Sequence, residues 1–163
     1  MMGRLWDKWL GTQYPGSGAV PLSAAEVRDA LLAVNGSAVP YHVRKANPWE
    51  KADLVAEWRI PPRSSFGEQV EQRLRIRMRL TPSEHEVRIL QEQWTSARSQ
   101  LSKSGGYSRG RGHTVERQWT YERGPDGRRR RVETYRLDTR EMRNALRKVV
   151  LSAGWTWRGV LKL

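Results

Sequence analysis

Arginine at 73, 75, 77 and 79 alternates with Leu74, Ile76, Met78 and Leu80. A strand sends successive side chains to opposite faces, so the spacing predicts four guanidinium groups in a row about 7 Å apart. A planar guanidinium bonds phosphate oxygens through two parallel N–H groups, so such a row can hold a polyanion backbone. The same row can instead pair across the sheet with Glu86 and Glu92, which flank Arg88 on the next segment. A second cluster, Arg128, Arg129, Arg130 and Arg131, follows the turn Gly124-Pro125-Asp126-Gly127, with Arg123 on the other side. Like charges at a hairpin end repel, and an anionic partner relieves that repulsion. The alternative is an exposed turn screened by salt within about 10 Å.

Between these clusters lies Ser104-Gly105-Gly106-Tyr107-Ser108-Arg109-Gly110-Arg111-Gly112. Arg109 and Arg111 supply charge, glycine supplies freedom, and Tyr107 can stack on a base. The stretch resembles a miniature of the RGG-type segments that bind single-stranded nucleic acid. A plain hairpin connection reads equally well. Eight tryptophans and five tyrosines could add stacking platforms, Trp119 with Tyr121 and Trp155 with Trp157 among them. With a single phenylalanine in the chain, tryptophan as core filler is the competing use.

No catalytic constellation is legible. His42, His85 and His113 are dispersed, with no i, i+4 pair for a metal. Nucleophile-elbow and Walker-type patterns are missing from the sequence, as is cysteine, which excludes disulfides and thiolate chemistry. The expectation is a non-enzymatic protein without metal or cofactor.

The positioning elements follow from periodicity. Ser23 and Glu26 form a capping-box pattern ahead of Val27, Ala30, Leu31 and Val34. Asp138 and Glu141 repeat it ahead of Met142, Ala145, Leu146, Val149, Val150 and Ala153, with Gly154 as the stop. Arg140, Arg143, Arg147 and Lys148 fill the other faces of this second helix. Strands are expected near Val39–Val43, Asp53–Ile60 (stopped by Pro61-Pro62), Arg73–Leu80, Glu86–Thr95 (with a bulge near Ile89-Leu90), Thr114–Tyr121, Arg128–Leu137 and Trp155–Leu163. The opening Leu5, Trp6, Trp9 and Leu10 make a short amphipathic turn that docks on the body or touches a membrane surface. The fold expected is therefore α+β: an antiparallel meander sheet of about six or seven strands covered by an N-terminal and a C-terminal helix. Residues 1–163 make one domain, with a mobile Gly/Ser/Arg-rich loop at about 99–112.

The formal charge is +13, and residues 1–62 hold seven Lys/Arg against six Asp/Glu. The excess therefore sits in the second part. Such asymmetry implies an acidic partner: nucleic acid (RNA or DNA), an acidic protein or, less in keeping with so short an amphipathic turn, an anionic membrane. Arg outnumbers Lys by 24 to 6, which compositional bias in the coding sequence also produces. No run of apolar residues reaches spanning length, and the first residues lack a signal-peptide pattern, so the expected location is cytoplasmic.

The ending Ala153-Gly154-Trp155-Thr156-Trp157-Arg158-Gly159-Val160 resembles the C-termini of small uncharacterised actinobacterial proteins, and Val39–Ile60 has the same character. That resemblance implies no activity. A sheet followed by a helix is also similar to tubby- and scramblase-like barrels, but those wrap a strongly apolar helix, and Arg143, Arg147 and Lys148 depart from that pattern. The leading expectation is a basic module that contacts nucleic acid through phosphates at Arg73, Arg75, Arg77, Arg79, Arg109, Arg111, Arg128, Arg129, Arg130 and Arg131, with Tyr107 stacking. The rivals are a scaffold subunit for an acidic protein and a peripheral membrane protein. Oligomeric state is not legible.

Overall fold

Alternation along residues 68–81 produces the centre of the fold. The computed structural model describes residues 2–65 and 67–163, without the side chains of Trp6 and a few others. In chain order the elements are α1 (Met2–Leu10), α2 (Ala24–Leu32), β1 (His42–Lys45), β2 (Leu54–Ser65), β3 (Glu68–Thr81), β4 (Glu86–Arg98), β5 (Lys103–Arg109), β6 (Val115–Arg123), β7 (Arg129–Asp138), α3 (Arg140–Ser152) and β8 (Thr156–Gly159). Strands β1 to β5 pair in sequence order, all antiparallel, and β8 joins the same sheet alongside β4. Strands β6 and β7 form a separate two-stranded ribbon. The fold is α+β with a mostly antiparallel sheet, as the periodicity predicts.

One face of the sheet is apolar. Leu54, Ala56, Trp58 and Ile60 from β2, Leu74, Ile76, Met78 and Leu80 from β3, and Val87 and Ile89 from β4 are all buried in one cluster. Val27 and Leu31 of α2 and Met142, Leu146 and Val150 of α3 close over them. Trp155 is fully buried, and its indole Nε1 donates to the Leu22 carbonyl at 2.8 Å, so the large ring carries its one polar atom satisfied. The capping box of α2 is present: the Ser23 hydroxyl accepts from the Glu26 amide at 3.2 Å.

Several local expectations are corrected. The capping box at Asp138 does not form. Helix α3 begins at Arg140 behind Thr139, and the Asp138 carboxylate is occupied by the Arg140 amide and guanidinium at 2.8–3.0 Å. The Thr139 hydroxyl meanwhile ties to Thr114, accepting from its amide at 2.7 Å. Pro61-Pro62 does not end β2. The strand runs on to Ser65 across a register shift between Ile60 and Arg63, the kind of irregularity that accommodates residues lacking an N–H. No bulge interrupts β4, whose register with β3 is continuous from Gln69↔Arg98 to Thr81↔Glu86. The parity switch at Ile89-Leu90 arises because both faces are buried there, Ile89 in the core and Leu90 beneath the opposite face. At the same point the edge of β4 changes partner. Glu92–Arg98 pair with β5, whereas Glu86–Ile89 pair in parallel with β8. The stretch expected as a loop at 99–112 therefore contains a strand, because the open edge of β4 offers unpaired backbone groups that outweigh a Gly/Ser composition.

Helix α1 docks on β8. Asp7 accepts from Tyr14 at 2.6 Å and from Arg158 at 3.3 Å, and the Leu10 carbonyl lies against Gly159. Leu5 and Trp9 stay exposed. No helix among the described residues is long and apolar enough to cross a membrane. Gly154, in the left-handed region at φ +74°, sits with its α-carbon against the Val20 backbone. A Cβ there would stand 2.8 Å from the Val20 oxygen. Gly154→Ala is expected to lower stability by about 2 kcal/mol, from the left-handed conformation and this backbone clash. A urea melt checks it, and an unchanged midpoint refutes it.

Candidate nucleic-acid interface

The arginine row of β3 faces away from α2 and α3. Cross-strand register fixes its neighbours: Arg59, Trp94 and Tyr107 share the level of Arg73, and Glu57, Glu92 and Arg109 share that of Arg75. Val55 and Leu90 flank Arg77, and Arg88 flanks Arg79. The row is thus part of a mixed lattice.

Three buried carboxylates organise that lattice. Glu92, only 2% exposed, accepts from Arg75 at 3.1 Å, Arg77 at 2.8 Å and the Tyr107 hydroxyl at 2.5 Å. Burial alone would raise its pKa, but the Tyr107 hydroxyl and the two guanidinium groups hold it below the ordinary value. Glu50 accepts a bidentate pair from Arg44 at 2.6 and 2.8 Å, with the Asn47 amide at 2.7 Å. Its pKa is lowered to about 2, chiefly by Arg44. Glu86 accepts from Arg158 at 2.5 Å and Arg88 at 3.0 Å; burial opposes its ionisation and these partners outweigh it, so its pKa too is lowered. Arg73 has its guanidinium 4.3 Å from the centre of the Trp94 ring, and Tyr107 meets the same ring at 5.1 Å. Arg109 donates to the Tyr107 hydroxyl at 2.6 Å and to the Leu161 carbonyl at 3.1 Å. Arg79 is exposed and makes no ion pair among the described residues.

The second arginine cluster lies on the ribbon. Paired residues of an antiparallel ribbon point to one side, and Tyr121↔Arg131 and Arg123↔Arg129 pair. One side therefore carries Trp119, Tyr121, Arg123, Arg129 and Arg131. The guanidinium of Arg131 sits 3.9 Å over the Trp119 ring, and Trp119 and Tyr121 remain 40% and 69% exposed. Across the tip, Arg130 stands 3.8 Å from Asp126, an exposed and weak pairing. Arg123, Arg128, Arg129 and Arg131 make no ion pair among the described residues. The root of the ribbon is fastened: Glu116 accepts two bonds from Arg63 at 2.6 and 2.8 Å, and Gln72 donates to Thr114 at 3.1 Å.

The expected residues thus divide among three places. Arg73, Arg75, Arg77, Arg79, Tyr107 and Arg109 share the sheet face. Arg128 to Arg131 stand on the ribbon. Arg111 folds back onto the body, donating to the Lys8 carbonyl at 3.2 Å. Sequence reasoning passed over Trp94 and Glu50. The β3–β4 register would have placed Trp94 beside Arg73, but nothing in the sequence joins Glu50 to Arg44 and Arg75. Among the described residues no group of three or more His, Asp or Glu could hold a metal ion. In comparisons with known proteins, no family model, no curated protein and no solved structure matches this chain.

Proposed function

We propose that the chain is a nucleic-acid-binding module whose ribbon grips the phosphate backbone. The observation that carries this reading is the ribbon tip, where the one ion pair that Arg123 and Arg128 to Arg131 make among the described residues is the 3.8 Å contact of Arg130 with Asp126, and where Trp119 and Tyr121 lie exposed alongside. Five guanidinium groups in so small a volume repel one another, and phosphates relieve that repulsion while each displaces condensed counterions. The aromatic rings on the same side offer stacking surfaces for bases. A two-stranded ribbon also fits the major groove of a duplex, about 12 Å wide. The sheet face contributes less, because Arg75 and Arg77 already neutralise Glu92 and Arg73 lies against the Trp94 ring, which leaves Arg79 as the exposed member of the β3 row.

The test is a salt series with labelled single-stranded RNA and a DNA duplex, comparing the parent protein with a variant in which Arg128 to Arg131 are all serine. Each lost phosphate contact removes about 0.9 from the log–log salt slope on duplex and about 0.7 on a single strand. The slope is expected to fall by about 3 on duplex, allowing for one non-contacting arginine. Binding unchanged by the substitution, or none at moderate salt, rejects the reading in favour of an acidic protein partner. Such a partner would depend on a compact hot spot, with Trp119 or Tyr121 substitution outweighing loss of any one arginine.

A further inference from the structure

Arg143 stands on the buried side of α3. The pattern of charges along the helix assigns it to solvent with Arg140, Arg147 and Lys148, but only 8% of it is exposed. Its neighbours on that side are Met142, Leu146 and Val150, so the guanidinium enters the body of the protein. One nitrogen donates to the Arg111 carbonyl at 3.1 Å. The Nε atom is buried and has no hydrogen-bond partner.

A small cavity of about 20 Å³ adjoins this group, between the end of α1, the middle of β4, the Gly110-Arg111 segment and β8. Arg111, Arg143 and Arg147 contribute its charges, and Ile89, Gln91 and Trp157 are among its other walls. No carboxylate lines it. Burial first, and then the positive charges of Arg111, Arg147 and Arg140, work against the charged form of Arg143, with only Asp138 acting the other way. A guanidinium cannot discharge itself at neutral pH as a lysine can. A buried charge without a counter-charge costs several kcal/mol. Among the described residues every other buried charge has a counter-charge: Glu50 has Arg44, Glu86 has Arg158, and Glu92 has Arg75 and Arg77.

We propose that this cavity is an anion site that takes a single halide-sized ion, with Arg143 as its principal ligand and Arg111 and Arg147 as flanking charges. The volume selects the class of ligand. About one water-sized sphere fits, which suits chloride and excludes a phosphate ester. A water molecule could satisfy Nε but leaves the buried charge of Arg143 uncompensated. The site is independent of the ribbon, which contributes no residue to it. By joining Arg143 of α3, the Arg111 segment and the end of α1, a bound ion ties the first helix to the last.

The probe is chloride, exchanged for gluconate at constant ionic strength. Thermal unfolding and the ³⁵Cl NMR linewidth are read for the parent protein and for Arg143→Met, Arg147→Gln and the ribbon variant with Arg128 to Arg131 as serine. In the parent, Tm is expected to rise saturably with chloride, as binding to the native state alone requires, with a matching excess linewidth. Arg143→Met abolishes both responses while keeping the fold, since an apolar chain of similar length removes the need for a counter-ion. Arg147→Gln, at a partly exposed position, weakens chloride at least tenfold. The ribbon variant keeps the full response, which separates this site from general anion attraction and from the fate of the nucleic-acid reading. A chloride response shared equally by the parent and Arg143→Met, or absent from the parent, overturns the proposal and leaves the cavity to water. Should Arg143→Met fail to fold, an unchanged chloride affinity in Arg147→Gln overturns it equally.

Discussion

Glu92→Leu is expected to cost about 3–5 kcal/mol of folding stability, the penalty for removing one partner of a buried charge pair. The side chain is 2% exposed and serves Arg75, Arg77 and Tyr107 together. Its loss leaves Arg75 with only the Glu50 carboxylate at 3.9 Å, already held by Arg44, and the Trp94 ring at 4.9 Å, and leaves Arg77 with the Glu50 carbonyl at 2.9 Å. Glu92→Gln keeps the volume and a polar partner for Tyr107, so it should fall between the parent and the leucine variant. Urea unfolding of the three proteins measures the series. A leucine variant within 1 kcal/mol of the parent would show the lattice to be incidental. Paired substitution with Arg77→Met should recover part of the loss, because both members of the pair then leave together. By contrast, serine at Arg128 to Arg131 removes charges with no buried partner, so little stability should change.

Acid should dismantle the same lattice. The folded pKa of Glu50 is about 2 against an ordinary 4.5, and those of Glu92 and Glu86 are also lowered. A carboxylate with a depressed folded pKa binds fewer protons in the native state than in the unfolded one. Its stabilisation is complete above the unfolded value and is lost as pH falls through the folded value. The window therefore opens near pH 4.5 and extends down to about pH 2 for Glu50. Glu50 alone corresponds to roughly 3 kcal/mol at neutral pH. The urea midpoint is expected to be level from pH 7 to 5 and to drop steeply below 4.5. Glu50→Gln should start lower and respond less. A midpoint as high at pH 3 as at pH 7 would mean these carboxylates are not the acid-sensitive elements.

Legibility followed the strength of periodic signals. The alternation Leu74, Ile76, Met78, Leu80 is uninterrupted, and β3 lies where it predicts. The capping box at Ser23 formed because nothing nearby competes for the hydroxyl. At Asp138 the same pattern failed because Arg140 claims the carboxylate. That competitor is local, two residues along the chain, while the bonds between Thr139 and Thr114 are the tertiary contact at this point. Gly105, Gly106 and their serines carry no strand propensity, and only the vacancy along β4 makes them a strand. Arg143 and Arg147 are the same residue type four positions apart on one helix. What separates them is Arg111, thirty-two residues upstream of Arg143, whose carbonyl draws one of them inward. For the arginine row, spacing located the guanidinium groups, but their availability depended on Glu50 and Glu92, which meet them only through the completed sheet.

The division of the β4 edge has a consequence for biosynthesis. Val87 pairs with Trp157, and Trp157 in turn exchanges both backbone bonds with Gln13. Two segments far apart in sequence therefore meet in one place, while β1 to β5 can assemble by successive local hairpins. During synthesis the residues of β1 to β5 are made before those of β8, since the chain grows at roughly 5–20 residues per second. Through that interval the apolar positions that Trp155 and Trp157 will cover stay open, and α1 has no surface to settle on. Closure by a distant parallel strand is the slow class of contact, because the intervening loop entropy must be lost first. A nascent chain whose meander pairs before β8 emerges would carry the sheet without its seal, and a chaperone recognising exposed apolar surface would find its target there.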